Sequence, residues 1–179
     1  GVWSGHGTGI SNTVSVTGSI TTTGTGSSGI EFYGATNSAT ISGTINSSGT
    51  DSSALRNQNG NGNSFQLNEG AIIIGDILAI GGSTVTNGKL IFNLGEGTSY
   101  AYSVSGNGSG TGAGQWTFSD LDGRTQGIST TGSGCNLSIA NANTSTCNLV
   151  TAVTPGNIEA QNELQYASNR SFINSLNFD

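Results

Sequence analysis

The chain has 179 residues, enough for one ordinary domain, with 30 glycines, 1 proline and only 8% charged residues. This scarcity of charge and proline argues against intrinsic disorder, which favours both. The 4 basic residues are scattered among 10 acidic ones, and the net charge of −6 argues against nucleic acid or an anionic membrane surface as a partner.

The N-terminal half predicts a repeat of short strands. The segments "VSVTGSI" (14–20), "ATISGTI" (39–45) and "AIIIGDI" (71–77) superpose without gaps as branched apolar residues around one glycine. The first two copies stay in step further along, so that Ile30 matches Leu55. A repeat of about 25 residues without a helical pattern predicts an all-β fold, a right-handed parallel β-solenoid (β-helix). The reason is that one such unit cannot bury its apolar side chains alone. A β-sandwich with accidental similarity between strands is the alternative.

Stacking of the three copies predicts two interior columns and one column of glycines. The first column is Val16, Ile41 and Ile73, the second is Ile20, Ile45 and Ile77, and the glycines are Gly18, Gly43 and Gly75. A glycine between two inward-facing positions relieves the wall of the solenoid or permits a bend. An unpaired charge placed in an interior column is expected to abolish folding.

Beyond the repeats the pattern changes to longer strands that are richer in aromatic residues. Trp116 and Phe118 fall on one face of the strand in "GQWTFSDLDG", and large side chains of this kind close the open core of a solenoid. We therefore predict repetitive coils in 1–95, a C-terminal cap in 96–153 and a terminal linker helix in 154–179. The helix is expected because its first residues suit a helix start and its apolar residues fall roughly on one face.

The two cysteines, Cys135 and Cys147, flank an Asn-rich turn between two strand-like segments. We predict a disulfide across this hairpin in an oxidising compartment, which stabilises the fold by about 3 kcal/mol in the chain-entropy treatment. Two free buried thiols in a cytosolic protein are the alternative. A zinc site is poorly supported, because the single histidine, His6, is distant in the sequence.

The sequence contains no recognisable catalytic motif. His6 lies among glycines, and no serine has the flanking residues of a hydrolase nucleophile. Asp120 and Asp122 precede Gly123, a spacing that could hold Ca²⁺ or supply the acids of a glycan-cleaving enzyme. A plain turn with Gly123 at positive φ is the favoured interpretation. We therefore predict no catalytic residue, no metal and no cofactor, and do not expect an enzyme.

Four segments resemble one known family. The run "SGTINSSGTDSSAL" and its echo "TGSITTTGTGSSGI" resemble the repeats in passenger domains of autotransporters, the type V secretion proteins of Gram-negative bacteria. The stretch ending in "GQWTFSD" is similar to the place where passenger coils give way to the cap, and "NIEAQNELQYASNRSFINSL" resembles the linker helix. The resemblance covers most of residues 14–176. It implies export through the outer membrane to the cell surface, with the family's own outer-membrane barrel, which this sequence does not contain, as a partner.

These observations predict a structural or adhesive cell-surface module, the non-enzymatic passenger or stalk of a secreted autotransporter. The sequence begins without an initiator Met, which indicates a processed product or an excised fragment. An extracellular or cell-surface protein or glycan is the expected ligand, and self-association is also expected. The alternatives are a self-assembling extracellular fibre subunit, an ice-binding solenoid and a glycan-processing one. Residues 21–23 (TTT) align with 46–48 (NSS), so no threonine ladder supports ice binding.

Overall fold

The computed structural model describes residues 1–4, 11–34, 36–81, 86–93, 99–108, 114–123, 128–131 and 147–153. The predicted fold class is confirmed, because these residues form stacked parallel strands without a helix. In chain order the described strands are β1 (Val2–Ser4), β2 (Thr13–Val16), β3 (Ser19–Thr22), β4 (Ser28–Tyr33), β5 (Ser38–Ile41), β6 (Thr44–Ser47), β7 (Ser53–Gln58), β8 (Asn63–Asn68), β9 (Ile72–Ile74), β10 (Ile77–Gly81), β11 (Thr86–Asn93), β12 (Ser99–Gly108), β13 (Gly114–Asp120), β14 (Ile128–Thr131) and β15 (Cys147–Val153).

The described strands stack into three sheets, each forming one wall of a β-solenoid. The five-stranded wall contains β2, β5, β8, β11 and β13, and the three-stranded wall contains β3, β6 and β9. The seven-stranded wall runs β1-β4-β7-β10-β12-β15-β14. Since the chain visits the walls in a fixed order, β2-β3-β4, β5-β6-β7 and β8-β9-β10 are three complete coils. Pairing is parallel except at the end of the seven-stranded wall, where β15 is antiparallel to both β12 and β14.

The first two copies of the repeat stack in the predicted register. Val16 pairs with Ile41 across β2 and β5, and Ile20 pairs with Ile45 across β3 and β6. The second half of the repeat also aligns, because β4 pairs with β7 in the same step. Interior positions therefore repeat at the interval predicted from the sequence.

The predicted register of the third copy is wrong. Leu67, and not Ile73, follows Ile41 in the five-stranded wall. Ile73, and not Ile77, follows Ile45 in the three-stranded wall, while Ile77 pairs with β7 and β12 in the seven-stranded wall. The physical reason is a redistribution of corner lengths in the third coil. The corner between β8 and β9 is longer than the one between β5 and β6, and the corner between β9 and β10 is shorter than the one between β6 and β7. A gapless alignment of the third copy therefore assigns its residues to the wrong walls.

The predicted glycine column is divided between two corners. Gly18 and Gly43 stack at the corner before the three-stranded wall, where the amide of Thr44 donates to the Gly18 carbonyl at 2.9 Å. A Cβ added at Gly43 would overlap that same carbonyl oxygen, so the close approach of the coils requires glycine there. Gly75 instead lies at the corner between β9 and β10, with φ at +116°.

Columns of apolar side chains fill the interior of the stack. One column in the five-stranded wall is Val14, Ala39, Phe65, Leu90 and Phe118, a second in that wall is Val16, Ile41, Leu67 and Phe92, and the column in the seven-stranded wall is Ile30, Leu55, Ile77 and Val104. All of these are buried except Val14, which is half-buried on the first coil. Inward and outward positions alternate along the strands because successive side chains of a strand point to opposite faces.

Aromatic side chains occupy the core towards β13. The Phe32 and Phe65 rings stack with centroids 4.8 Å apart, and Phe65 lies 5.9 Å from the Trp116 ring. Gly88 makes room for the Trp116 indole, because an added Cβ would come within 2.7 Å of its ring. The buried Trp116 and Phe118 thus pack inside the solenoid from the last strand of the five-stranded wall.

The division into coils, cap and helix stays a prediction. Parallel pairing continues beyond residue 95 through β12 and β13, and the antiparallel pair β12–β15 falls inside the predicted cap. The predicted helix of 154–179 lies outside the described residues. Within the described ranges, no helix is long and apolar enough to cross a membrane.

Candidate functional site

The residues with predicted chemistry are placed as follows. His6 and Cys135 lie outside the described residues, so neither a role for His6 nor the disulfide is tested. Cys147 begins β15 and is the residue opposite Val104 of β12. Within the part of the chain that the structure describes, no group of three or more His, Cys, Asp or Glu side chains could hold a metal ion.

Asp120 and Asp122 lie in the turn predicted for them. Asp120 ends β13, and its carbonyl accepts a hydrogen bond from the Gly123 amide at 3.2 Å. Gly123 has φ of +78°, the conformation that glycine adopts without steric cost. The turn interpretation is confirmed.

A ladder of asparagine side chains connects the coils at the corner before the five-stranded wall. The Asn37 Oδ1 accepts from the Asn12 backbone amide at 3.1 Å, and the Asn63 Oδ1 accepts from the Asn37 amide at 2.7 Å. Asn63 Nδ2 donates to Asn57 Oδ1 and to the Gly34 carbonyl, both at 2.7 Å. Because these buried groups satisfy one another, the ladder is a structural element of the solenoid and offers nothing to a ligand.

The outer surface of the seven-stranded wall carries an exposed aromatic residue beside polar side chains. Its alternate positions form two rows across successive strands, and one row begins with Trp3, whose side chain is 61% exposed. We call these outward residues the outer strip: Trp3, Glu31, Arg56 and Leu78 in the first row, and Tyr33, Gln58 and Ile80 in the second.

The polar groups of the outer strip are held in place by neighbours. Glu31 accepts a hydrogen bond from the Ser28 hydroxyl at 3.1 Å, and its other oxygen lies 3.9 Å from Arg56 Nε. Asn59, at the end of β7, donates from Nδ2 to the Tyr33 hydroxyl at 3.0 Å. Glu31 and Arg56 are only about one-fifth exposed, so most of each side chain is packed against neighbours and only a small part contacts solvent.

The electrostatic balance of the outer strip is close to neutral. Glu31 and Arg56 face one another on adjacent strands, so their opposite charges largely cancel at a distance. The pair is too long for a direct hydrogen bond, and Arg56 Nε has no hydrogen-bond acceptor among the described residues. The strip therefore offers hydrogen-bonding groups without a net charge that would attract a polyanion.

The outer surface of the three-stranded wall changes from coil to coil. Thr21 pairs with Asn46, which pairs with Ile74, and in the neighbouring column Thr44 pairs with Ile72. The predicted alignment of residues 21–22 with 46–47 is confirmed, and no column of threonines forms across the described coils. The regular array expected of an ice-binding face is not present on this wall.

Sequence reasoning did not identify the outer strip as a site. Trp3 lies in the opening residues "VWSGHG", outside the aligned repeats, and nothing in that segment connects it to β4. The alignment of Ile30 with Leu55 already places Glu31 beside Arg56, and this was the available signal. Trp3 could not be added to that row without knowing that β1 pairs with β4.

Comparisons with protein-family models, curated proteins and solved structures find no match to this chain. A functional interpretation therefore depends on the fold and on the geometry of the outer strip. Together these define a β-solenoid whose outer face carries an exposed aromatic ring next to ordered polar side chains.

Proposed function

We propose that the protein is a structural and adhesive module of the bacterial cell surface, the non-enzymatic passenger or stalk of a secreted autotransporter. The main support is the in-register stacking of its coils. Each coil adds the same three walls, so the solenoid gains length while each outer face stays continuous. Such a body holds a binding face away from its point of attachment. The resemblance of the repeats to passenger domains supports export through the outer membrane, with the family's barrel as partner.

The chemistry of the outer strip favours binding over catalysis. Glu31 accepts a hydrogen bond from Ser28 and faces Arg56 on the adjacent strand, so its carboxylate is already engaged by neighbours on the outer face. Trp3 and the amide of Gln58 supply contact area and hydrogen bonds, which are the components of a recognition surface.

Surface display tests the proposal. The chain is fused to an outer-membrane barrel, and bacteria displaying it are compared with bacteria displaying the barrel alone for retention on cultured epithelial cells and on immobilised extracellular matrix. We expect retention to rise several-fold. The matched control is the Ile45→Asp chain at equal surface density, because a charge at this fully buried position prevents folding. Equal retention of the folded chain and of this control contradicts an adhesive function.

A self-assembling fibre subunit is the second candidate. The observation that favours it is that β2 and β3, among the described strands, each pair with a neighbour on one side only. An unpaired strand edge is a template for another chain. Size-exclusion chromatography with light scattering separates the two candidates: a mass near 17.9 kDa supports a monomeric stalk, and large regular assemblies support the fibre.

A further inference from the structure

We propose that the outer strip is a binding site for a neutral oligosaccharide. The inference rests on the proposed adhesive function and names the class of ligand that the adhesive face recognises. It depends on three properties of the strip: an exposed aromatic ring, ordered polar groups beside it, and the absence of net charge.

Trp3 supplies the aromatic platform. Its indole is 61% exposed although it lies on a strand that pairs with β4, so backbone pairing fixes its position while the ring faces solvent. Leaving so large an apolar surface in water is unfavourable, and such residues mark interaction sites when other recognition groups adjoin them. The electron-rich face of an indole packs against the C–H bonds on one face of a pyranose ring.

The polar groups lie at distances that suit a sugar chain. Glu31 and Arg56 follow Trp3 on successive strands, and strands are about 4.8 Å apart, so the row from Trp3 to Leu78 spans about 14 Å. That length accommodates a short oligosaccharide. A carboxylate accepts hydrogen bonds from sugar hydroxyls and a guanidinium donates to their oxygens, so adjacent groups of both kinds recognise a hydroxyl-rich ligand.

Charge restricts the ligand to the neutral class. The acidic and basic residues of the strip balance, and the whole chain has a net charge of −6. Sulfated or uronic-acid polymers would be repelled by the overall field, and no basic cluster occurs on the strip to compensate. A neutral hexose chain is not repelled by the negative field and does not need a basic cluster to bind.

The arrangement of apolar groups favours a glycan over a protein. A protein–protein interface has an apolar centre surrounded by a polar rim. The first row of the outer strip instead has a polar pair, Glu31 and Arg56, between Trp3 and Leu78, and by register it continues to Ser105 of β12. Ser28 holds the Glu31 carboxylate in place, so this side chain loses little conformational entropy when a ligand binds.

The experiment measures binding of the full chain to immobilised neutral hexose oligosaccharides of two to six units, from the maltose, cellobiose and mannose series, beside sulfated and uronic-acid chains. Affinity is then determined in solution by acrylamide quenching of tryptophan fluorescence. This readout is specific because the chain has two tryptophans and Trp116 is only 1% exposed, so a bound sugar protects Trp3.

We expect Trp3→Ala to weaken binding at least tenfold in the array, and Glu31→Gln to weaken it severalfold. Leu121→Ala, at an exposed residue off the strip, leaves binding unchanged.

Three outcomes of the binding experiment overturn the inference. They are retention of no neutral oligosaccharide, equal retention by the wild type and by a folded Trp3→Ala chain, and preference for the charged polymers. Circular dichroism establishes that each variant is folded, and Trp3→Phe, which keeps a ring, is expected to recover part of the binding. Retention of displayed cells on matrix from which glycans have been enzymatically removed also overturns the inference in favour of a protein ligand. That last result leaves the proposed adhesive function standing.

Discussion

Asn63 has no exposed surface, and its side chain takes part in four hydrogen bonds. Its oxygen accepts from the backbone and the side chain of Asn37, and its nitrogen donates to Gly34 and Asn57. An amide side chain has two donors and two acceptor positions, so this residue is fully satisfied. Few other side chains could take its place in this corner, because the groups around it include both donors and acceptors.

Replacement of this asparagine is the first prediction at the residue scale. Asn63→Ala leaves the Asn37 amide and the Asn57 oxygen buried without a partner, so we expect the free energy of unfolding to fall by about 3 kcal/mol. Urea denaturation measures the loss. Asn68→Ala is the matched control: Asn68 also bonds three side chains, but it is only half-buried, and its partners can bond water. A loss of more than about 1 kcal/mol in the control would contradict the importance of burial.

The stacked glycines allow a second residue-scale prediction. Gly43→Ala places a methyl group against the Gly18 carbonyl, which is backbone and cannot rotate away, so we expect a loss of stability of about 2 kcal/mol or more. Gly18→Ala introduces the same methyl group one coil earlier, where nothing lies within 4 Å. Its effect on the melting temperature should be small. Similar melting temperatures for the two variants would be evidence against the close approach of these coils.

At the scale of the element, β6 and β9 show how alternation assigns faces. Ile45 is fully buried in β6, whereas Ile72 in the adjoining strand β9 is 51% exposed. Ile45→Asp places an unpaired carboxylate in the core, and we expect the β-sheet signal in far-UV circular dichroism to be lost. Ile72→Asp, an identical change on the same wall, should melt close to the wild type. A wild-type-like melt for Ile45→Asp would show that the assigned register is wrong.

The same strands show what the sequence could and could not predict. The solenoid and the pairing of the first two coils followed from a regular interval between apolar residues, because identical corners keep identical walls in step. The third coil could not be placed, since "AIIIGDI" matches the repeat pattern without gaps only in a register that the structure does not adopt. Corner lengths set the observed register, and the longer first corner of this coil contains Gly70, where φ is +82°. The outer strip was missed for a related reason, because Trp3 joins it only through a pairing of strands that belong to different coils.

At the scale of the whole molecule, the predicted disulfide adds covalent stability to a stack that is otherwise held by contacts between neighbours. If Cys135 and Cys147 are bonded, Cys135→Ser should lower the melting temperature by about 6–12 °C, as follows from a loss of about 3 kcal/mol. The far-UV circular dichroism spectrum should stay that of folded coils. In a reducing buffer the melting temperature of the wild type should equal that of the variant. Equal melting temperatures under oxidising conditions would instead indicate free thiols.

The asparagine ladder gives the solenoid a direction. Each rung obtains its acceptor from the coil that follows it in the chain: Asn12 donates to Asn37, and Asn37 donates to Asn63. The series ends at Asn63, whose side-chain nitrogen donates back to Asn57 of β7 and to Gly34, which follows β4. The two ends of the ladder therefore differ in chemistry: removing residues from the N-terminal side leaves the acceptor of the next rung without its donor, whereas removing them from the C-terminal side leaves a buried amide donor without its acceptor.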